Sequence, residues 1–168
     1  FPKSVLHVLK SGLNGKIPET PKKPMIKNIV ILNNFICLSK MKNRQTSILD
    51  NAWDNRVKGL PFENKFEVLK LASIIEEEAS LADERKIIAS VFINRLKKKM
   101  KLQTDPSVIY GITRGEYKLG RGLFLSELRN LTPWNTYKVK GLPLTPISNP
   151  GEASIYAATN PALTDFLY

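Results

Sequence analysis

Three consecutive glutamates, Glu76, Glu77 and Glu78, are the residues of this sequence best suited to proton-transfer chemistry. A carboxyl group that is partly removed from water keeps its proton to higher pH and can then serve as a general acid near neutrality. His7 is the only histidine and Cys37 the only cysteine, which argues against a histidine-based triad and a zinc site of four cysteines. We therefore expect proton transfer to use carboxylates, tyrosine or lysine, with no cofactor and no metal ion.

The residues around these acids predict an amphipathic helix. Asn64 is suited to the N-cap position, and Glu67 follows it at the spacing of a capping box. Apolar residues then recur every three or four positions through residues 68–82, as on a helix with one buried face. A second helix is predicted over residues 83–100, and an earlier one over residues 44–60. The helix that carries the three glutamates and the helix predicted over residues 83–100 form the pair that must position these acids.

The predicted helix separates the three glutamates by direction. At about 100° per residue, Glu77 points away from the apolar face into solvent, whereas Glu76 and Glu78 lie on its two flanks. Glu78 shares its flank with Leu71, Ile74 and Leu81. It is therefore the carboxylate expected against apolar side chains at the lip of a cleft. A glutamate that only borders the buried face in solvent is the simpler interpretation of the same geometry.

The rest of the sequence is less regular. Residues 1–46 contain many prolines, glycines and lysines and are expected to be an irregular remnant or linker. The apolar run at residues 28–38 within them indicates a buried strand or helix, because it is shorter than the roughly 20 residues of a membrane span. Residues 102–168 are rich in turn-forming residues, with one short helix predicted at 126–130. We expect an α+β fold in which residues 47–168 form one domain, with the helical pair packed against an irregular half that has short strands.

The chain is strongly basic, with a formal net charge of +11 and a pI near 9.8. Such a charge fits a solvated basic face, a nucleic-acid site, a membrane surface or an anionic polymer such as a cell-wall glycan with its peptide carboxylates. No recognised nucleic-acid-binding pattern is present. We therefore expect no nucleic-acid partner. Composition alone does not distinguish a solvated basic face, a membrane surface and an anionic polymer.

Several ordered blocks of sequence are more specific than composition. These blocks are residues 71–79, 89–96, 101–111, 132–137, 141–143 and 146–151. In them, and from about residue 51 to residue 168, the chain resembles the endolytic murein transglycosylase (MltG, or YceG-like) family. Because long blocks match together and in the same order, the resemblance is stronger than one short pattern would be.

This resemblance implies a lyase that cleaves the β-1,4 bond between N-acetylmuramic acid and N-acetylglucosamine and leaves a 1,6-anhydro muramyl end. The last acid of the family's Ile-Glu-x-Glu block is catalytic and corresponds to Glu78, and the first corresponds to Glu76, in a supporting role. It also implies peptidoglycan strands and cell-wall synthesis proteins as partners, at the extracytoplasmic face of the bacterial inner membrane. The family pattern continues beyond the final Leu-Tyr, so a truncated or decaying copy is expected. The alternative is a peptidoglycan-binding remnant without catalysis.

Further candidates for substrate binding come from the matching blocks. The segment 103–106 could line a glycan cleft, although Asp before Pro is also common turn chemistry. Arg95 could bind a carboxylate of the peptide stem or lie exposed on its helix, and Trp134 could stack on a sugar or fill the core. The candidate substrate-binding residues are Glu76, Asn94, Arg95, Gln103, Thr104, Asp105, Tyr110, Asn135, Thr136 and Tyr137.

Overall fold

The computed structural model of the protein describes the backbone of residues 23–168. Side chains are described from residue 34 onward, with the exception of Phe35. The linker expected at the beginning of the chain lies largely outside the described residues. Within residues 23–168, no helix is both long enough and apolar enough to cross a membrane.

Two units divide the chain, residues 1–42 and residues 43–168. Helix α1, Lys23–Asp54, includes residues of both units. Irregular structure is predicted for residues 1–46, and this prediction is wrong from Lys23 onward, where the chain is helical. The apolar run expected to be buried there has exposed side chains at Ile36 and Leu38. The domain boundary predicted from the sequence stays a prediction.

The second unit is built from helices joined by loops. After α1 come α2 (Lys65–Glu78), α3 (Arg85–Lys97), α4 (Asp105–Thr113), α5 (Leu125–Arg129) and α6 (Glu152–Thr159). Within residues 23–168 the β pairing is one isolated parallel bridge between Lys101 and Gly141. The predicted α+β class is therefore not confirmed, because the turn-rich half forms helices and loops where short strands are expected.

The core forms where α2 packs against α3 and α6. The predicted buried face of α2 is present, and Ser73 is buried with it. Burial of several large aliphatic side chains on one helix anchors that helix strongly, at roughly 1.5–3 kcal/mol for each such side chain. The buried apolar residues of the core are Ala52, Val68, Leu71, Ala72, Ile74, Ile75, Ala89, Phe92, Ile93, Leu102, Ile147, Ile155, Ala157 and Ala158.

Helix α2 begins where the capping pattern predicts. The Asn64 side chain accepts a hydrogen bond from the backbone N–H of Glu67 at 3.1 Å. The Glu67 carboxylate reaches back to the N–H of Glu63 at 2.8 Å, one residue before the position that a capping box uses. Both bonds add side-chain acceptors for backbone N–H groups at the start of the helix; the Glu67 N–H also donates to the Asn64 carbonyl at 3.2 Å.

The same helix ends earlier than the apolar pattern predicts. Ala79 has extended backbone angles, and the buried face stops at Ile75, so Leu81 and Ala82 are exposed in the loop before α3. Leu81 therefore does not share the flank of Glu78 as predicted. The last turn carries three acidic residues and no basic residue. Acidic side chains are unfavourable at the negative end of a helix dipole and repel one another, which disfavours continuing the helix beyond Glu78.

A buried side chain hydrogen-bonds several backbone carbonyl groups in the second half of the chain. The buried Asn135 amide donates to the carbonyl oxygens of Glu127, Leu128 and Asn130 at 3.3, 3.1 and 2.6 Å. Buried carbonyl groups require such partners. Since side-chain donors supply them here, these loops do not need strand pairing.

Replacing Asn64 by Ala should destabilise the protein by about 1 kcal/mol, because the N-cap acceptor of α2 is lost. The measurement is urea-induced unfolding followed by circular dichroism. Asn64→Asp is the matched control, since it keeps an oxygen acceptor at the cap and should unfold close to the wild type. Equal midpoints for Asn64→Ala and Asn64→Asp would show that the cap contributes nothing.

Candidate active site

The three glutamates at the end of α2 lie in different surroundings. Glu76 is half-buried, whereas Glu77 and Glu78 are exposed as whole residues. Glu77 lines an open cavity of about 700 Å³, and Glu78 lines another of about 290 Å³. One helical turn therefore directs its acids to separate surfaces, as their spacing predicts.

Glu76 is bonded to the start of α6. One carboxylate oxygen accepts from the N–H of Gly151 at 3.0 Å and from the hydroxyl of Ser154 at 2.6 Å, and the other lies 3.8 Å from the Arg85 guanidinium. The Ser154 hydrogen bond lowers the pKa of Glu76 most, with the Gly151 bond and the Arg85 charge acting in the same direction against partial burial. This carboxylate thus caps α6 and joins it to α2.

Glu78 lies in a more apolar setting. Partial removal of the carboxyl from water, and next the negative charge of Asp105, raise the pKa of Glu78 above its ordinary value. Its position at the negative end of the α2 dipole acts in the same direction. The residues around this cavity are Glu78, Ile88, Val91, Phe92, Arg95, Leu102, Gln103 and Tyr168.

Asp105, at the start of α4, is tied to Tyr137. The Tyr137 hydroxyl donates to Asp105 Oδ1 at 2.7 Å. Burial, this hydrogen bond, and the negative charges of Asp105 and Glu78 raise the pKa of Tyr137 to about 12, with Arg95 opposing them. Tyr137 therefore keeps its proton near neutral pH and remains a donor beside the two carboxylates.

Two loop segments hold this group together. The backbone N–H of Gln103 donates to the Thr136 carbonyl at 3.2 Å, and that of Thr104 to the Thr136 hydroxyl at 3.0 Å. Asn135 Oδ1 accepts from the N–H of Tyr137 at 2.9 Å. Thr104, Asn135 and Thr136 are buried. The Asn135 and Thr136 side chains position neighbouring residues, whereas the Thr104 hydroxyl has no hydrogen-bond partner among the described residues. The Gln103 side chain is exposed and lines the Glu78 cavity.

Asn94 and Arg95 bind backbone carbonyl groups of the protein itself. The Asn94 amide donates to Thr164 and Phe166 at 2.8 and 3.0 Å. The Arg95 guanidinium donates to Leu102 and Leu167 at 2.7 and 2.6 Å. Arg95 is buried, so the exposed helix arginine considered from the sequence is wrong. Both side chains hold the segment 164–168 against α3.

Sequence reasoning missed Tyr168 as a lining residue of the Glu78 cavity. Its ring lies 4.9 Å from the Arg95 guanidinium carbon, a cation–π contact. The hydrogen bond that brings this segment to Arg95 joins residues 72 positions apart in sequence. The periodicity of apolar residues reports which face of one helix is buried, so it cannot predict a contact between residues so far apart in sequence.

Tyr110 does not line the Glu78 cavity. It lines the Glu77 cavity and a further one of about 330 Å³. Its ring lies 6.1 Å from that of Trp134, which donates from Nε1 to Thr145 and is covered by Arg114 at 3.4 Å. Of the two roles considered for Trp134, the packing role matches its contact with the core.

No group of three or more histidine, cysteine, aspartate or glutamate side chains is arranged to hold a metal ion within the described part of the chain. The acid-rich neighbourhood that does form contains Glu78, Asp105 and the Tyr137 hydroxyl. Glu78 provides a carboxyl group of raised pKa, Asp105 a carboxylate held by a hydrogen bond, and Tyr137 a neutral hydroxyl donor. This set can move a proton and orient a hydroxyl-rich ligand.

Comparison with known proteins agrees with the resemblance seen in the sequence. The sequence pattern of the YceG-like family matches residues 33–168. The chain belongs to the YceG-like family. Among curated relatives, the endolytic murein transglycosylase of Bacillus subtilis is 51% identical over 109 residues, covering 63% of this chain and 29% of that protein. The endolytic murein transglycosylase of Streptococcus pneumoniae is 35% identical over 107 residues, covering 61% and 19%.

A crystal structure of a yceG-like protein from Listeria monocytogenes also matches, with a TM-score of 0.56 and 48% identity. The match covers 62% of this chain and 33% of the Listeria chain. In the matches to the Bacillus and Streptococcus proteins, the chain spans less than a third of the length of these curated relatives. The family predicted from the ordered blocks is confirmed.

Glu76→Gln should destabilise the protein at neutral pH, because a neutral amide loses the charge that faces Arg85 and the start of α6. The pKa of Glu76 is lowered by folding. The ionised Glu76 carboxylate therefore contributes fully to the free energy of unfolding above the ordinary pKa of 4.5, and this contribution is lost as the pH falls through the lowered pKa. Urea midpoints of wild type and variant should therefore differ at neutral pH and converge in acid. Glu77→Gln is the control: it removes a carboxylate that is unfavourable at the negative end of α2, so it should not destabilise the protein at neutral pH. A gap that persists unchanged into acid would contradict a charge-based role for Glu76.

Proposed function

We propose that this chain carries the catalytic region of an endolytic peptidoglycan lytic transglycosylase, with Glu78 as its general acid and base. The observation that supports this most is the setting of Glu78, a carboxyl of raised pKa in a cavity with apolar walls. The names of the curated relatives support the same reaction class. The substrate is the β-1,4 bond between N-acetylmuramic acid and N-acetylglucosamine.

The first half of the reaction needs an acid. Protonated Glu78 donates its proton to the glycosidic oxygen, which leaves with the N-acetylglucosamine unit as a neutral hydroxyl. Asp105 and the end of α2 both favour the protonated form of Glu78. A proton donor with a pKa closer to neutrality than an ordinary glutamate is efficient for this step.

The second half needs a base. The Glu78 carboxylate takes the proton from the 6-hydroxyl of the muramyl sugar as that oxygen bonds to the anomeric carbon. The product is a 1,6-anhydro ring, Glu78 regains its proton, and no water is consumed. One carboxyl therefore serves both halves, and the second catalytic carboxylate of ordinary glycosidases is not required.

Asp105 acts on Glu78 through its charge in this proposal. Tyr137 fixes the Asp105 carboxylate by its hydrogen bond, and the paired loop segments fix Tyr137. Gln103 offers an exposed amide beside Glu78 for sugar hydroxyl or acetamido groups. Asn94, Arg95 and Thr136 act as positioning residues, because their polar groups already have partners within the protein.

The setting that this function requires is extracytoplasmic, beside the bacterial inner membrane, where glycan strands and cell-wall synthesis proteins are present. The net charge of +11 favours contact with the carboxylates of peptidoglycan. We propose these partners and this location, like the activity, because the chain belongs to the YceG-like family.

Glu78→Gln should abolish the formation of anhydro-muropeptides, since the amide can neither donate a proton to the glycosidic oxygen nor accept one from the 6-hydroxyl. The measurement is mass spectrometry of products released from purified sacculi. Glu77→Gln changes the adjacent acid in the same way and should retain the activity of the wild type.

Anhydro products that persist in Glu78→Gln would contradict the assignment of Glu78. Wild-type protein that sediments with insoluble peptidoglycan but releases no product would favour the alternative, a binding remnant without catalysis. Equal loss in Glu77→Gln and Glu78→Gln would point to a general effect of charge at the end of α2.

A further inference from the structure

An exposed apolar surface is built around α5, by residues that do not line the Glu78 cavity. Large apolar side chains there have high exposed fractions, 58% for Phe124, 68% for Leu125 and 76% for Leu131. Tyr117, close in sequence, is 56% exposed. Single exposed apolar residues are ordinary, whereas a group of them marks an interaction site. We refer to Tyr117, Arg121, Phe124, Leu125, Arg129 and Leu131 as the α5 surface.

The backbone beneath the α5 surface is held in place by internal hydrogen bonds. The buried Asn135 amide donates to three carbonyl oxygens of this turn, those of Glu127, Leu128 and Asn130. The Glu127 carboxylate accepts from the N–H of Phe124 at 2.8 Å. Phe124 and Leu125 therefore project from a turn whose backbone is hydrogen-bonded, and Leu131 follows that turn directly in the sequence.

Basic residues lie among these apolar side chains. Arg129 is four positions after Leu125 on α5, so both lie on one face of the helix, and Arg129 forms no ion pair with any described residue. Arg121 covers the Phe124 ring at 4.1 Å. Glu127 pairs with Arg121 at 2.7 Å. This hydrogen bond first, then the one from the Phe124 N–H and the Arg121 charge, lower the pKa of Glu127 to about 2.

The wider segment has a net positive charge. Residues 114–140 contain six basic and two acidic residues, and one of the two acids is Glu127, already bonded to Arg121. The surface therefore combines apolar side chains with an excess of positive charge. A partner complementary to it must be anionic and must also offer an apolar phase.

We propose that the α5 surface is a peripheral contact with an anionic phospholipid membrane. Phe124, Leu125 and Leu131 enter the boundary between headgroups and acyl chains, and Arg129 contacts lipid phosphate. Tyr117 has the amphipathic ring that favours the membrane interface. A soluble polyanion would engage the arginines but would leave the apolar side chains in water, so it fits only half of the surface.

The test uses the full chain and vesicles of phosphatidylcholine alone or mixed with phosphatidylglycerol, with binding measured by co-flotation. We expect binding only when phosphatidylglycerol is present, and loss of binding at high salt. Arg129→Gln should weaken vesicle binding about fivefold, the effect of one basic residue near an anionic surface. Leu125→Ser combined with Leu131→Ser should weaken it about tenfold or more.

Matched controls separate this surface from the general basic charge. Leu163→Ser and Lys98→Gln change a fully exposed leucine and an exposed lysine elsewhere and should bind vesicles as the wild type does. Unfolding midpoints of all variants should agree, since every altered side chain is exposed. The glycan-cleavage assay is a separate readout and does not depend on this contact.

Three outcomes would overturn the proposal. Binding that is equal on both kinds of vesicle would remove the anionic requirement. Wild-type binding by the leucine double variant would assign the contact to another part of the chain. Complete competition by polyglutamate, together with no effect of the leucine changes, would identify a soluble polyanion as the partner in place of a membrane.

Discussion

The packing of α2 against α3 and α6 is the constraint on which the candidate site depends. Val68, Leu71, Ile74 and Ile75 anchor the helix in the core, so its last turn is held at a fixed position. That turn then has to carry three acids without a compensating basic residue. The helix ends there, and each acid takes the environment that its direction allows.

Neighbouring groups separate the proton affinities of two of these acids. Glu76 meets hydrogen-bond donors and Arg85, which lower its pKa. Glu78 meets apolar walls and the charge of Asp105, which raise its pKa. Carboxyl groups of the same type thus serve different purposes two residues apart, the first joining α2 to α6 and the second being available for proton transfer.

Features that depend on near neighbours in sequence could be predicted, as the Asn64 cap and the flank positions of Glu76 and Glu78 were. Helix α4 begins with Asp105 and Pro106, and proline at a helix start was a usable signal that the turn-rich composition obscured. The roles of Arg95, Asn135 and Thr136 could not be predicted, because each depends on backbone carbonyls or amides brought close by tertiary folding. The same holds for Tyr168 beside Glu78.

The most direct measurement of the central claim is a carboxyl-carbon NMR titration of Glu78 in the wild type and in Asp105→Asn. We predict a pKa above the ordinary 4.5 in the wild type, and a lower pKa in Asp105→Asn, because the repelling charge is removed. A wild-type pKa at or below 4.5, unaffected by the substitution, would contradict the role of Glu78 as a general acid.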